Sequence, residues 1–189
     1  PECRWRRKRN LMKSPAPTTN WFVITGAPCS GKTAVINRLE QIGYAVVHEV
    51  ARAYIDAELA KGKTLEGIKA DEWAFERHIL MTKAKLEARL KPKDIIFFDR
   101  AVPDSIAYYQ LCGLDPTEAR QMSQAIRYRK IFLLERLAFL ADTVRSEDET
   151  TADRLSHLIE ESYQSLGYNL IYVPVGSVED RTEFILNRI

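Results

Sequence analysis

The stretch WFVITGAPCSGKTAVINRLEQIG, residues 21–43, decides the fold. It begins with a short apolar run, Trp21 to Thr25, which is typical of a buried strand. The pattern Gly-x4-Gly-Lys-Thr follows at residues 26–33, and apolar residues at helical spacing then continue up to Gly43, where a helix stop is expected. A strand, this glycine-rich loop and a helix together indicate a Walker A loop, which binds the phosphates of a nucleotide.

Each residue type in this loop suits phosphate. Gly26 and Gly31 permit backbone angles that turn successive N–H groups toward one anion. The helix that begins near Lys32 adds its positive dipole end, Lys32 reaches the β- and γ-phosphates, and Thr33 offers its hydroxyl to Mg²⁺. An ordinary glycine-rich turn is the alternative, which the flanking strand and helix disfavour. The residues expected to bind the nucleotide are Gly26, Ala27, Pro28, Cys29, Ser30, Gly31, Lys32 and Thr33.

Four more strand-like runs follow and alternate with helical segments. The predicted strands are 44–48, 94–99, 130–135 and 169–175. The predicted helices include 49–61, 71–90, 103–112, 116–127 and 177–189. This alternation predicts the α/β class, with a mostly parallel sheet covered by helices on both faces. Ligands of such sheets bind beyond the carboxyl ends of the strands, where Gly26, Glu49, Asp99 and Arg100 fall.

Asp99 is the predicted second half of the metal site. It ends a strand whose four preceding residues, Ile95 to Phe98, are all apolar, as in a Walker B site. A carboxylate there can hold Mg²⁺ through water, or accept a proton from an attacking hydroxyl. Its alternatives are a helix N-cap and a salt bridge with Arg100.

The nucleotide is predicted by elimination. The sequence has no Asn-Lys-x-Asp base reader, no Asp-x-x-Gly switch after the metal strand and no ABC-type signature. ATP with Mg²⁺ is therefore the expected cofactor.

These motifs together resemble the AAA_28-type P-loop ATPase and kinase family, which is related to ribosylnicotinamide kinase and to small nucleoside and nucleotide kinases. The resemblance covers about residues 21–189. It rests on the Walker A loop, Glu-x-x-Arg after strand two, Asp-Arg-x-x-x-Asp after strand three, and Val-Arg-x-Glu-Asp before a later helix. It implies the P-loop NTPase fold, a three-layer α/β/α sandwich with a five-stranded parallel sheet in the order 2-3-1-4-5.

The resemblance also implies roles for individual residues. A segment of about 138–150, with Asp142 and Arg145, resembles a kinase lid, and Arg145 would close on the transferring phosphate like an arginine finger. The residues that it implies for catalysis are Lys32, Asp99, Arg145 and Glu49. Those implied for the substrate are Glu49, Arg52, Arg100 and Asp104, which is expected to line the cleft. Those implied for the metal are Thr33 and Asp99.

Several of these roles have structural alternatives. Glu49 and Arg52 stand three apart at a helix start and can simply pair with each other. The segment around Arg145 can cap a helix. Tyr108 and Tyr109 can stack on an acceptor ring, although core or surface positions are the more ordinary ones for such aromatics.

The bulk composition fits one globular domain of 189 residues. Residues 1–20 form a basic leader and Pro/Ser/Thr linker expected to be flexible, and 21–189 form a single nucleotide-binding domain. Residues 1–13 carry a net charge of +5 and the whole chain +2, so the domain itself is not basic and nucleic acid is not the expected partner. No apolar run reaches a membrane span, and three widely spaced cysteines favour a reducing, cytoplasmic setting.

Two functions remain open at this point. The first is a small-molecule kinase that transfers the ATP γ-phosphate to a hydroxyl of a nucleoside-like or cofactor-like acceptor. The second is a regulatory ATPase or nucleotide-dependent binding module with a protein or nucleic-acid partner, which only the basic leader favours. The sequence predicts neither the acceptor nor the oligomeric state.

Overall fold

The computed structural model describes residues 16–136 and 146–189. Its centre is a five-stranded parallel sheet in the order β2-β3-β1-β4-β5. The strands are β1 Trp21–Thr25, β2 Ala45–Val47, β3 Ile96–Asp99, β4 Lys130–Leu134 and β5 Leu170–Val173. Both the predicted fold class and the predicted strand order are confirmed.

Helices cover the sheet on both faces. They are α1 Lys32–Gln41, α2 Val50–Ala60, α3 Leu65–Lys69, α4 Glu72–Glu87, α5 Asp104–Leu111, α6 Thr117–Ser123, α7 Ser146–Ser165 and α8 Val178–Leu186. Successive side chains of a strand point to opposite faces. Val23 of β1 accordingly packs in one core cluster with Ile159 of α7, whereas Ile24 packs in another with Leu39 of α1 and Ile185 of α8. Burial on both faces explains why β1 is continuously apolar.

Helix and strand ends differ from the predicted bounds. The turn expected after Lys61 contains the short helix α3, whose N-cap Thr64 accepts a hydrogen bond of 3.1 Å from the Gly67 amide. Helix α4 ends at Glu87, because a tighter turn with i to i+3 bonds leads into Pro92. Strand β3 begins at Ile96 rather than residue 94, and the preceding Ile95 is 47% exposed.

Residues 17–20, expected in the linker, contact the domain. Thr18 forms a parallel bridge with Arg127, whose amide donates to the Pro17 carbonyl at 3.0 Å. The predicted lid residues Asp142 and Arg145 lie outside the described residues, and α7 starts at Ser146. The described segments include no helix that is long and apolar enough to span a bilayer.

Candidate active site

The loop between β1 and α1 has the backbone of an anion-binding nest. Gly31 precedes α1 with φ 82°, and no side chain caps the helix, which leaves its first N–H groups available to a ligand. Gly26 has φ 141°, and a Cβ there would lie 2.8 Å from the Leu134 carbonyl oxygen, so only glycine fits. Cys29 also adopts a left-handed conformation, with φ 60°. Such strain in a non-glycine residue is a feature of ligand-binding loops.

Lys32 lies folded back on this loop. Its side chain is buried, and Nζ donates to the Ala27 carbonyl at 2.7 Å and to Ser30 Oγ at 3.1 Å. Burial, followed by repulsion from the Arg100 guanidinium, lowers the pKa of Lys32 to about 7. A polyphosphate in the loop would favour the charged ammonium and reverse that shift.

Thr33 and Asp99 fit a magnesium site. Thr33 Oγ1 donates to Asp99 Oδ2 at 3.5 Å, and the buried Asp99 Oδ1 has no hydrogen-bond partner. Burial, followed by repulsion from Glu49, raises the pKa of Asp99 to about 6. No group of three or more His, Cys, Asp or Glu side chains able to hold a metal occurs in residues 16–136 and 146–189. A hydroxyl and one carboxylate are nevertheless enough for Mg²⁺, which keeps waters and binds substrate phosphates.

Arg100 joins the ends of β2 and β3. It is 5% exposed with φ 64°, and its Nε donates to Glu49 Oε1 at 3.2 Å. Its Nη1 lies 3.6 Å from Asp104 Oδ1, and its guanidinium lies over the Tyr108 ring at 5.3 Å. Glu49 therefore pairs with Arg100 instead of Arg52, and Arg100 forms its ion pairs with Glu49 and Asp104 instead of Asp99.

Asp104 does not line the cleft, contrary to the prediction. It is fully buried, and its carboxylate accepts hydrogen bonds from Thr25 Oγ1, from the Ala101 amide at 2.8 Å and from the Tyr163 hydroxyl at 2.6 Å. The physical reason is its position in the first turn of α5, where the carboxylate faces its own helix start and the strand beneath. Asp104 thus ties β1, α5 and α7 together behind Arg100.

A cavity of about 800 Å³ begins at the P-loop and continues past Glu49 and Arg100. Its far part lies between α2, α3, α4 and α5. The P-loop end is lined by Pro28, Cys29, Gly31, Lys32, Thr33 and Ala34. The far part is lined mainly by Ala51, Arg52, Ile55, Asp56, Leu59, Leu65, Lys69, Glu72, Phe75, Glu76, Ile79, Lys83, Tyr108, Leu111 and Cys112.

The structure therefore brings most of the predicted site residues together. Glu49, Arg52 and Arg100 line the same cavity as five of the predicted P-loop residues, which are Pro28, Cys29, Gly31, Lys32 and Thr33. Asp99 contacts Thr33 beside it. Of the two tyrosines, Tyr108 lines the cavity, whereas Tyr109 is 1% exposed within the core. Arg145 lies outside the described residues.

Sequence analysis missed Arg181, which supports the P-loop from behind. Its buried guanidinium donates to the carbonyls of Ser30 at 2.5 Å, Pro174 at 2.9 Å and Glu135 at 3.0 Å. These bonds join the phosphate loop to the ends of β4 and β5. Helical spacing could have predicted its burial, because Arg181 lies four residues before the buried Ile185 on the same face of α8.

Two charged residues of the cavity wall were also not predicted from the sequence. Glu76 and Lys83 belong to the buried face of α4, beside Phe75 and Ile79. Lysine and glutamate side chains on a helix are usually exposed to solvent, so their residue types alone predict that both lie on the exposed face of this helix.

The sheet order, the phosphate nest and the paired Thr33 and Asp99 define a P-loop nucleotide-binding domain with the fold of small kinases. A strand, loop and helix of this kind occur in many nucleotide-binding proteins, so they do not by themselves identify the family. The chain belongs to the AAA_28 family, described as an AAA domain, which matches residues 21–181.

Several solved structures are similar to this chain. A thymidylate kinase from Ehrlichia chaffeensis has 15% identity and a TM-score of 0.62, over 90% of this chain and 98% of that one. A deoxyadenosine kinase from M. mycoides has 18% identity and a TM-score of 0.59, over 89% and 97%. The NadR protein in complex with NR has 15% identity and a TM-score of 0.66, over 92% of this chain and 50% of that one. At these identities the similarity shows the fold, and no curated protein matches the sequence.

Proposed function

We propose that the chain is a small-molecule kinase that transfers the γ-phosphate of ATP to a hydroxyl of a nucleoside-like or cofactor-like acceptor. The observation that carries this proposal is a continuous cavity of about 800 Å³, which extends from the P-loop into a partly apolar chamber between α2, α3, α4 and α5. Hydrolysis of ATP needs room for one water molecule, whereas a partly apolar chamber enclosed by several helices suits an organic ligand. The kinase fold of the similar structures is consistent with this function.

The donor end holds the nucleotide. The loop amides and Lys32 would bind the β- and γ-phosphates, and Thr33 and Asp99 would hold Mg²⁺. The ion would neutralise the charge that develops on the transferring phosphoryl group. Arg100 adds a fixed cation on the acceptor side of this group.

Glu49 is the proposed general base. Its Oε1 accepts from Arg100, which orients the carboxylate, while its side chain remains 28% exposed at the cavity. The acceptor hydroxyl gives its proton to Glu49, its oxygen bonds to the γ-phosphorus, and the bond from that phosphorus to the bridging oxygen breaks to release ADP. Asp99 is the other carboxylate near the phosphate site that could act as the base. Comparing variants of Glu49 and Asp99 shows which of the two accepts the proton.

The remaining predictions complete this proposal. We take residues 21–189 as one domain and the segment of about 138–150 as its lid, from which Arg145 closes on the transferring phosphate. Arg52, an exposed residue on the cavity wall, contacts the acceptor.

Acceptor-dependent release of ADP tests the proposal. Purified protein with Mg²⁺ and ATP is screened against thymidine, deoxyadenosine, nicotinamide riboside and a wider panel of nucleosides and cofactors. Glu49→Gln should lower acceptor-dependent turnover roughly 10²- to 10⁴-fold with little change in ATP affinity. The matched control Glu66→Gln, an exposed residue of α3, should behave as wild type.

Two results would contradict parts of the account. Equal turnover of Glu49→Gln and wild type would assign the base to another group, of which Asp99 is the nearest candidate. A constant rate of ADP release across the panel would favour an ATPase over a kinase.

A further inference from the structure

Helix α4 presents two buried charged side chains to the acceptor part of the cavity. Lys83 is 4% exposed and Glu76 is 7% exposed, and both line the cavity wall. Neither forms a hydrogen bond or an ion pair with any residue in 16–136 or 146–189. Their charged atoms are not among the enclosed atoms without a partner, so their hydrogen-bonding capacity is open to a ligand in the cavity.

The two charges face different ends of the chamber. They stand seven residues apart, which is two helical turns and roughly 10 Å along the axis. Glu76 lies in the first half of α4, near Glu72, and Lys83 lies in its second half. Asp104, Arg100 and Glu49, which belong to the catalytic end, all influence the pKa of Lys83.

The carboxylates near Lys83 are already engaged by other donors. Asp104 accepts from Thr25, Ala101 and Tyr163, and Oε1 of Glu49 accepts from Arg100. These carboxylates attract the Lys83 ammonium electrostatically, but neither of them accepts a hydrogen bond from it.

Arg100 is a second cation on this cavity wall. Its Nη1 is enclosed on the side of Asp104, whose carboxylate lies 3.6 Å away, so Nη1 itself is not open to a ligand. Burial first, and then the Arg100 charge, lowers the pKa of Lys83. An anion bound by Lys83 would accept its hydrogen bonds and offset the repulsion between the two cations.

We infer that Lys83 binds an anionic group, either a phosphate monoester or a carboxylate, on the phosphoryl acceptor. This inference rests on the proposed kinase function and narrows its substrate class. The acceptor combines a hydroxyl that reaches Glu49, an apolar body that packs on Phe75 and Ile79, and the anionic group. A neutral analogue leaves the Lys83 ammonium unpaired, which is a basis for discrimination.

Anion binding to the full chain tests this inference. The P-loop is first saturated with Mg²⁺ and β,γ-imido ATP, so that the γ-phosphate position is filled. Inorganic phosphate, and separately acetate, is then titrated by calorimetry. Wild type should bind one of the two anions, and Lys83→Met should weaken that binding about tenfold or more, the loss expected for a hydrogen bond to a charged group. Lys85→Met is the matched control, because Lys85 lies on the same helix and is exposed.

Each outcome has a defined meaning. Lys83-dependent binding of phosphate supports a phosphate monoester, and Lys83-dependent binding of acetate supports a carboxylate. The inference is overturned if wild type binds neither anion, or if Lys83→Met binds as wild type does. Replacing an unpaired ammonium by methionine should not lower the melting temperature. Lys83→Gln is the second variant, should Lys83→Met fail to fold, and it should weaken the same binding about tenfold or more. Failure of β,γ-imido ATP itself to bind would remove the proposed function, and the inference with it.

Discussion

The lowered pKa of Lys32 makes nucleotide binding depend on pH in a defined direction. The free protein has a Lys32 pKa of about 7, because the ammonium is buried and lies near Arg100. Bound phosphates hold the ammonium in its charged form well above that pH. Free protein is about nine-tenths protonated at pH 6 and about one-tenth at pH 8, so ATP affinity should fall roughly tenfold over that interval, or about 1.4 kcal/mol.

Calorimetry on wild type and Lys32→Met isolates this effect. At pH 8, wild type should take up close to one proton per nucleotide, read from titrations in two buffers of different ionisation enthalpy. Asp99 and the nucleotide also titrate in this range, but they do so in both proteins. The difference in proton uptake between wild type and Lys32→Met therefore measures the protonation of Lys32. The variant should lack this part of the uptake.

The pH dependence of the free energy of unfolding gives a second test of the lowered Lys32 pKa. The folded-state pKa of Lys32 lies below its unfolded value, so the folded state binds fewer protons. Burial of Lys32 therefore costs most stability below about pH 7, and the cost disappears as the pH rises toward the unfolded pKa. Lys32→Met should melt at pH 6 no lower than wild type. Identical pH slopes in the two proteins, or proton release on binding, would refute the reasoning.

Two further substitutions test a residue proposed to hold the metal and a residue that anchors the phosphate loop. Asp99→Asn should weaken activation by Mg²⁺ roughly 10- to 100-fold, as for other residues that hold a metal through water, while nucleotide binding without the metal changes little. Equal losses in both measurements would argue against a metal role. Arg181→Met removes three hydrogen bonds to buried carbonyls and should lower the free energy of unfolding by about 3 kcal/mol or more. Urea titration measures this loss, and an unchanged midpoint would show that Arg181 does not hold the loop.

The donor end was predictable because its determinants are local. The strand, the loop and the first turn of α1 lie within residues 21–33, and backbone groups do most of the binding. The identity of the residue at Cys29 matters less than its backbone angle, which is why a cysteine is accommodated there. The strand order was predictable because the resemblance to the family, which the motifs after the strands carry, implies it.

The acceptor end was not predictable in the same way. The far part of the cavity is assembled from α2, α3, α4 and α5, and no short motif encodes how these helices meet. The resemblance implied that Asp104 lines the cleft, but the sequence could not show that its carboxylate turns inward toward Tyr163. Arg181 was missed because its partners are carbonyls distant in sequence.

Transfer of label from [γ-³²P]ATP tests the central claim most directly. Reactions with wild type and Lys32→Ala are run with and without acceptors from the panel, and labelled products are separated by chromatography. The account predicts that wild type moves the label onto an acceptor, and that Lys32→Ala does so at a negligible rate. Label found only in inorganic phosphate across the whole panel, or wild-type transfer by Lys32→Ala, would contradict it.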